Sequence, residues 1–161
     1  MSTYLACCFR AIFRKTGQKQ KRMGRIMAID YGVKRVGLAV TDPLQLIASA
    51  LDTVHAQDVL AFLQSYTQKE EVDEFVVGMP KHLDGNDTNN TQHVVGFVRK
   101  LQKQFPGKKV VTHDERFTSR MAFQTMIDVG LGKKARANKE TVDKISATII
   151  LQSYLESRQY L

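Results

Sequence analysis

Ile26-Met27-Ala28-Ile29-Asp30-Tyr31-Gly32-Val33-Lys34-Arg35-Val36-Gly37-Leu38-Ala39-Val40 decides how this chain is read. Two apolar, β-favouring runs flank a short polar turn, the pattern of a β-hairpin. A single carboxylate, Asp30, closes the first run. An acid in a sheet costs free energy unless a cation, a hydrogen-bond network or a reaction offsets it. Gly32 and Gly37 carry no Cβ, so the backbone there can turn sharply and come close to a bulky charged ligand. Two readings follow: a phosphate or metal site at the end of the first strand, or a turn-capping Asp in an ordinary hairpin.

Working outward, Arg25–Asp30 and Val36–Thr41 form the hairpin, and Ile47–Val54 continues it after a turn built on Asp42-Pro43. Val59, Leu60, Leu63 and Tyr66 recur at helical spacing, which predicts an amphipathic helix over about 56–68. Glu74–Gly78 is a short continuous apolar run before Met79-Pro80 and reads as a buried parallel strand. Lys81–Asn90 is a polar loop with Asp84-Gly85-Asn86 as its turn signal. A helix marked by Val94, Phe97, Val98, Leu101 and Phe105 ends at Pro106-Gly107, and Lys109–His113 is a fifth strand. Thr118 and Gly130 are the expected caps of a further helix, and Asn138 caps a last one over about 139–158. The order βββαβαβαα, with an antiparallel hairpin first and crossovers later, predicts an α/β mixed sheet flanked by helices.

At 161 residues and 43% hydrophobic, the chain suits one globular domain. No apolar stretch approaches the ~20 residues that a membrane span requires. The only cysteines, Cys7 and Cys8, are adjacent, which suggests neither a zinc site nor a disulfide framework and fits a reducing cytoplasm. The net charge of +8 is unevenly placed: residues 1–22 hold six of the 24 Lys and Arg and none of the 16 Asp and Glu. Local clusters, rather than the global charge, must therefore carry any argument for nucleic-acid binding. Residues 1–22 form a poor signal peptide. They read as a basic arm touching RNA or a membrane surface, or as sequence upstream of the true start at Met23, and are expected to be poorly ordered. The single domain is expected over residues 23–161.

Three acidic positions fall at element ends. Asp30 ends the first strand, Asp114 and Glu115 follow the fifth, and Asp143 lies near the start of the last helix. Strand C-termini and a helix N-terminus can converge on one crevice. Asp143 shares a helical face with Ala147, Ile150 and Tyr154, so its carboxylate is expected to point at the sheet. Converging carboxylates repel, and such a cluster normally holds a hard divalent cation; without a His/Cys set, Mg²⁺ or Mn²⁺ fits better than zinc. Each acid also has a plainer reading. Asp143 can favour the helix dipole, and Asp114 or Glu115 can pair with Arg116 or Arg120. His113 reads as a strand-end residue rather than a ligand.

Four stretches together resemble the YqgF family, also called RuvX, of the RNase H-like superfamily. They are Asp30-Tyr-Gly-Val-Lys-Arg-Val-Gly-Leu-Ala-Val-Thr-Asp42, Val77-Gly-Met-Pro80 followed by Gly85, Asp114-Glu-Arg-Phe-Thr-Ser119, and Asp143-Lys-Ile-Ser-Ala-Thr-Ile-Ile-Leu-Gln152. In order and spacing they cover nearly all of 23–161. The resemblance implies an RNase H-like five-stranded sheet of order 3-2-1-4-5. It also implies a nuclease acting in 5′-end maturation of pre-16S rRNA, with branched DNA as the alternative substrate, since some relatives have been called Holliday-junction resolvases. By position it makes Asp30, Glu115 and Asp143 the catalytic acids and metal ligands, with Asp114 competing with Glu115 for the second place.

The expected chemistry is endonucleolytic phosphodiester hydrolysis assisted by Mg²⁺ or Mn²⁺. Lys34, Arg35, Arg116, Arg120 and the loop bearing Lys133, Lys134, Arg136 and Lys139 are the expected phosphate contacts, which bind without reading sequence. The expected partners are structured RNA, pre-16S rRNA foremost, and ribosomal precursor particles, with no membrane; the chain is expected to be a monomer or a weak homodimer. Two competing classes remain. An ATP-binding sugar-kinase or actin-like protein also opens with an Asp-x-Gly hairpin, but needs a second lobe for which residues 23–161 leave no room. A non-catalytic nucleic-acid-binding module keeps the fold and needs no metal.

Overall fold

The computed structural model describes residues 24–79, 90–114, 124, 127, 130 and 138–159. Strands β1 (Arg25–Tyr31), β2 (Arg35–Thr41), β3 (Ala48–His55), β4 (Val72–Met79) and β5 (Lys109–Asp114) make one sheet of order β3-β2-β1-β4-β5. The pairs β1–β2 and β2–β3 are antiparallel, while β1–β4 and β4–β5 are parallel. Helices α1 (Val59–Lys69), α2 (Thr91–Gln104) and α3 (Lys139–Gln159) complete the described elements. This is the α/β mixed sheet that the hairpin and crossover pattern predicted, in the strand order that the resemblance implied.

Side-chain alternation sorts the central strands between two cores. Met27, Ile29, Val36, Leu38, Phe75 and Val77 face one side, where Val59 and Leu63 of α1 and Val94, Phe97 and Leu101 of α2 cover them. Ile26, Ala28, Ala39 and Val76 face the other side, under Ala147, Ile150, Leu151 and Tyr154 of α3. Because β4 is buried on both faces, it reads as a continuous apolar run rather than an alternating one. The α3 face is lined by small residues, with Ala28 and Ala39 paired across the β1–β2 ladder. The helix can therefore lie close to the strands, and this closeness positions the site.

Several boundaries differ from the sequence expectation for local reasons. Tyr31 joins the hairpin ladder opposite Val36 and Arg35 extends β2 opposite His55, while Gly32 N–H donates to the Arg35 carbonyl (3.0 Å) and closes the turn tightly. Residues 56–58 are a turn, so α1 starts at Val59. Helix α2 starts at Thr91, ahead of its first apolar residue, with Asn90 as N-cap. At α3 the expected cap is present: Asn138 Oδ1 accepts the Glu140 N–H at 3.0 Å. Of the helix expected after Thr118, the described residues include Gln124, Ile127 and Gly130. Gly130 has φ +76°, and its N–H donates to the Ile127 carbonyl, the left-handed end that a glycine C-cap supplies.

Candidate active site

Residues 30 and 37 are partners across the β1–β2 ladder, and alternation turns both toward α3. A Cβ on Gly37 would overlap the backbone carbonyl of Asp143. Gly37 thus serves the close approach of a helix. Gly32 makes the sharp turn that the sequence predicts, whereas Gly37, expected to let a ligand approach, instead seats the first turns of α3 directly beside Asp30.

Side-chain contacts hold that helix end in place. Lys144 Nζ pairs with Asp52 Oδ1 of β3 at 3.0 Å, and this ammonium lowers the Asp52 pKa. Thr53 Oγ1 donates to the Glu140 carbonyl at 3.0 Å. Arg35 Nε donates to Asp143 Oδ2 at 2.9 Å, an ion pair spanning 108 residues of sequence.

Asp30 has no comparable partner among the described residues. Burial, and secondarily the negative charge of Asp143, push its pKa up to about 7. Two carboxyl groups are therefore close enough to repel, and one of them is largely desolvated. At the end of the same strand, Asn90 Nδ2, from the N-cap of α2, donates to the Tyr31 carbonyl at 3.0 Å, which fixes the backbone just after Asp30. The Asn90 Oδ1 is buried and accepts no hydrogen bond from the described residues. A hard-oxygen donor set in which only Asp143 of the two carboxylates has a counter-cation fits a divalent cation of the Mg²⁺ or Mn²⁺ type. Among the described residues only these two acids converge; no group of three His, Cys, Asp or Glu side chains is placed to hold a metal.

The structure separates the remaining predicted residues. Asp114 ends β5, opposite Met79 of β4, so a whole strand lies between it and Asp30. The preceding residue, His113, faces α3, where its Nε2 lies 3.0 Å from Ser153 Oγ. Strand alternation therefore takes Asp114 to the opposite face of the sheet. Burial lowers the His113 pKa, with Asp114 opposing the shift, which agrees with a strand-end residue. Lys34 sits in the β1–β2 turn and Lys139 opens α3. Glu115, Arg116, Arg120, Lys133, Lys134 and Arg136 lie outside the described residues.

Sequence reasoning missed three features. Arg35 was expected to contact nucleic acid, and its place on Asp143 was not foreseen. The signal was available, since residues 35, 37, 39 and 41 alternate onto the α3 face. Asn90 was read only as the end of a loop, and no pattern in the chain points to its contact with Tyr31. The role of Gly37 depends on where α3 crosses the sheet, which local sequence does not encode.

The sequence model of RuvX, described as Holliday junction resolvase, matches residues 24–157. The chain belongs to the RuvX family. A relative from Amoebophilus asiaticus, described as "Putative pre-16S rRNA nuclease", is 54% identical over 141 residues, covering 86% of this chain and all of the relative. A relative of the same description from Phocaeicola vulgatus is 52% identical over 139 residues, again covering 86% of this chain and all of its own length. Among solved structures, T. thermophilus RuvC in complex with Holliday junction substrate superposes with a TM-score of 0.53 at 16% identity, covering 84% of this chain and 96% of that one. This likeness establishes the RNase H-like fold of the RuvX chain. No helix among the described residues is long and apolar enough to cross a membrane.

Proposed function

We propose that this RuvX protein is a divalent-metal-dependent endonuclease that acts in 5′-end processing of pre-16S rRNA. The observation that carries the reading is the seating of Asp143 beside Asp30 through Gly37, which juxtaposes two carboxylates at the end of the central strand. The names of the relatives supply the substrate class. The working domain is residues 23–161, with residues 1–22 a basic extension.

In this reading Asp30 is the central metal ligand and Asp143 the second. Glu115 completes the oxygen shell, because the alternation that turns Asp114 away favours its neighbour. A bound Mg²⁺ or Mn²⁺ supplies an acidified water and charge neutralisation at phosphorus. Asp30 and Asp143 fix the position of that charge relative to the scissile phosphate, and Asn90 holds the strand end that carries Asp30. Lys34 and Arg35 in the hairpin, with Arg116, Arg120, Lys133, Lys134, Arg136 and Lys139, bind flanking phosphates.

Cleavage of a pre-16S 5′-leader transcript in Mg²⁺ or Mn²⁺, comparing wild type with Asp30→Asn, tests the reading. Metal-dependent cutting that falls by about three orders of magnitude in the variant is expected, since the central carboxylate acts in the transition state. Equal activity of the two proteins would remove Asp30 from the mechanism. A second reading, resolution of four-way DNA junctions, is favoured by the family's description. It becomes the first choice if the RNA is left intact and a junction is cut symmetrically. If neither is cut but both are bound, the chain is a non-catalytic binding module.

A further inference from the structure

The ion pair between Arg35 and Asp143 lies inside the candidate site, so the same carboxylate that would bind a metal is already held by a cation of the chain itself. The two side chains are 33% and 25% exposed, so neither is sealed in the core. The backbone of Arg35 is fixed by the turn bond from Gly32 and by its ladder position opposite His55. The side chain is a long flexible stem that can leave Asp143 for solvent without moving the strand. On the other partner, Asp143 cannot retreat, because its backbone is pressed on Gly37 and its helix is tied to β3 by Lys144 and Thr53. One partner is free to leave while the other is anchored.

We propose that Arg35 is the resident counter-cation of Asp143 in the metal-free protein, and that a divalent ion must displace it to bind. This rests on the reading of Asp30 and Asp143 as metal ligands. The guanidinium offsets part of the repulsion between the two acids while no metal is bound, and it raises the metal concentration needed to load the site. Arg35 is accordingly a positioning residue that tunes metal affinity through Asp143.

A supporting scaffold and a competitor make opposite predictions. If Arg35 only holds Asp143 in place, its removal weakens metal binding. If it competes, removal strengthens binding. Titration calorimetry with Mn²⁺ alone on the full chain separates the two. Arg35→Ala is expected to bind Mn²⁺ about two- to fivefold more tightly than wild type, the range that loss of a partly exposed ion pair spans. The Mn²⁺-induced rise in Tm should be larger in the variant, because its metal-free form is less stable and its bound form tighter. Arg35→Lys keeps a displaceable charge and should stay close to wild type, which guards against a folding defect in the alanine variant. Equal or weaker binding by Arg35→Ala, with wild type still binding, overturns the competition and leaves the metal site standing. Absence of Mn²⁺ binding in all three proteins overturns the metal-site reading and this inference together.

Discussion

Two acids face α3 from the same side of the sheet, and they are treated in opposite ways. Glu74, near the start of β4, is 5% exposed and fully engaged. It accepts the Tyr154 hydroxyl proton, and Lys109 Nζ lies 2.8 Å from its Oε1. Arg158 stands 3.8 Å from its other oxygen and over the Tyr154 ring. Asp30, at the far end of the neighbouring strand β1, meets a second carboxylate instead, and its proton is retained up to about pH 7. Both are largely desolvated, Glu74 buried and Asp30 half-buried. What separates the two is the charge opposite each: cations face Glu74, whereas a carboxylate faces Asp30.

The largest test of this contrast is a pair of substitutions read by urea denaturation of the metal-free protein at neutral pH. Glu74→Ala removes the acceptor of the Tyr154 hydroxyl and empties a buried position, which should cost about 2–4 kcal/mol. Asp30→Asn removes a desolvated charge and its repulsion with Asp143, so it should stabilise the metal-free protein while abolishing cleavage. If both variants lose stability to a similar degree, Asp30 is a structural acid like Glu74 and the contrast fails.

Only part of this contrast was legible in the chain. Asp30 announced itself as a lone acid closing an apolar run, and Asp143 as an acid on the apolar face of a helix. Glu74 opens the β4 apolar run in the same manner, yet it passed as the edge of a strand because its partners Lys109 and Tyr154 are 35 and 80 residues away. The fold itself was readable because period-two alternation in β1 and β2 and the continuous run of β4 are local patterns. The crossing of α3 over Gly37, which brings Asp143 to Asp30, is a tertiary fact. So is the Arg35 ion pair. Both depend on the layer packing rather than on any window of sequence.

A smaller effect probes the seat between the two regions. Gly37→Ala places a methyl group against the Asp143 carbonyl backbone, so α3 must lift from β2. Overpacking of this kind costs about 1–3 kcal/mol. The Glu74 end of α3 should keep its contacts, whereas Mn²⁺ binding at the Asp30 end should weaken at least tenfold. Hydrogen exchange would locate the loosening at the start of α3. Uniform loosening along the helix would show that the two ends are not independent.

The smallest effect is also the one whose sign is most specific. An acid whose pKa is raised from 3.8 to about 7 by folding holds its proton in the native state when the unfolded chain has already released it. Between about pH 4 and pH 7 the native state therefore binds more protons than the unfolded one, and stability falls as pH rises. Below pH 4 the group is protonated in both states, and above pH 7 it is ionised in both, so the slope vanishes at each end. His113 acts in the opposite direction: its lowered pKa removes stability as pH falls below its ordinary value of 6.5. Comparing Tm across pH 4–8 for wild type and Asp30→Asn cancels the histidine and isolates the carboxylate. The advantage of the variant should grow from pH 4 to pH 7 and then level off. Mn²⁺ affinity of the wild type should climb over the same interval, because the ion and the proton compete for one carboxylate. A flat difference across the whole range would make Asp30 an ordinary solvated acid and erase the distinction between the two ends of the sheet.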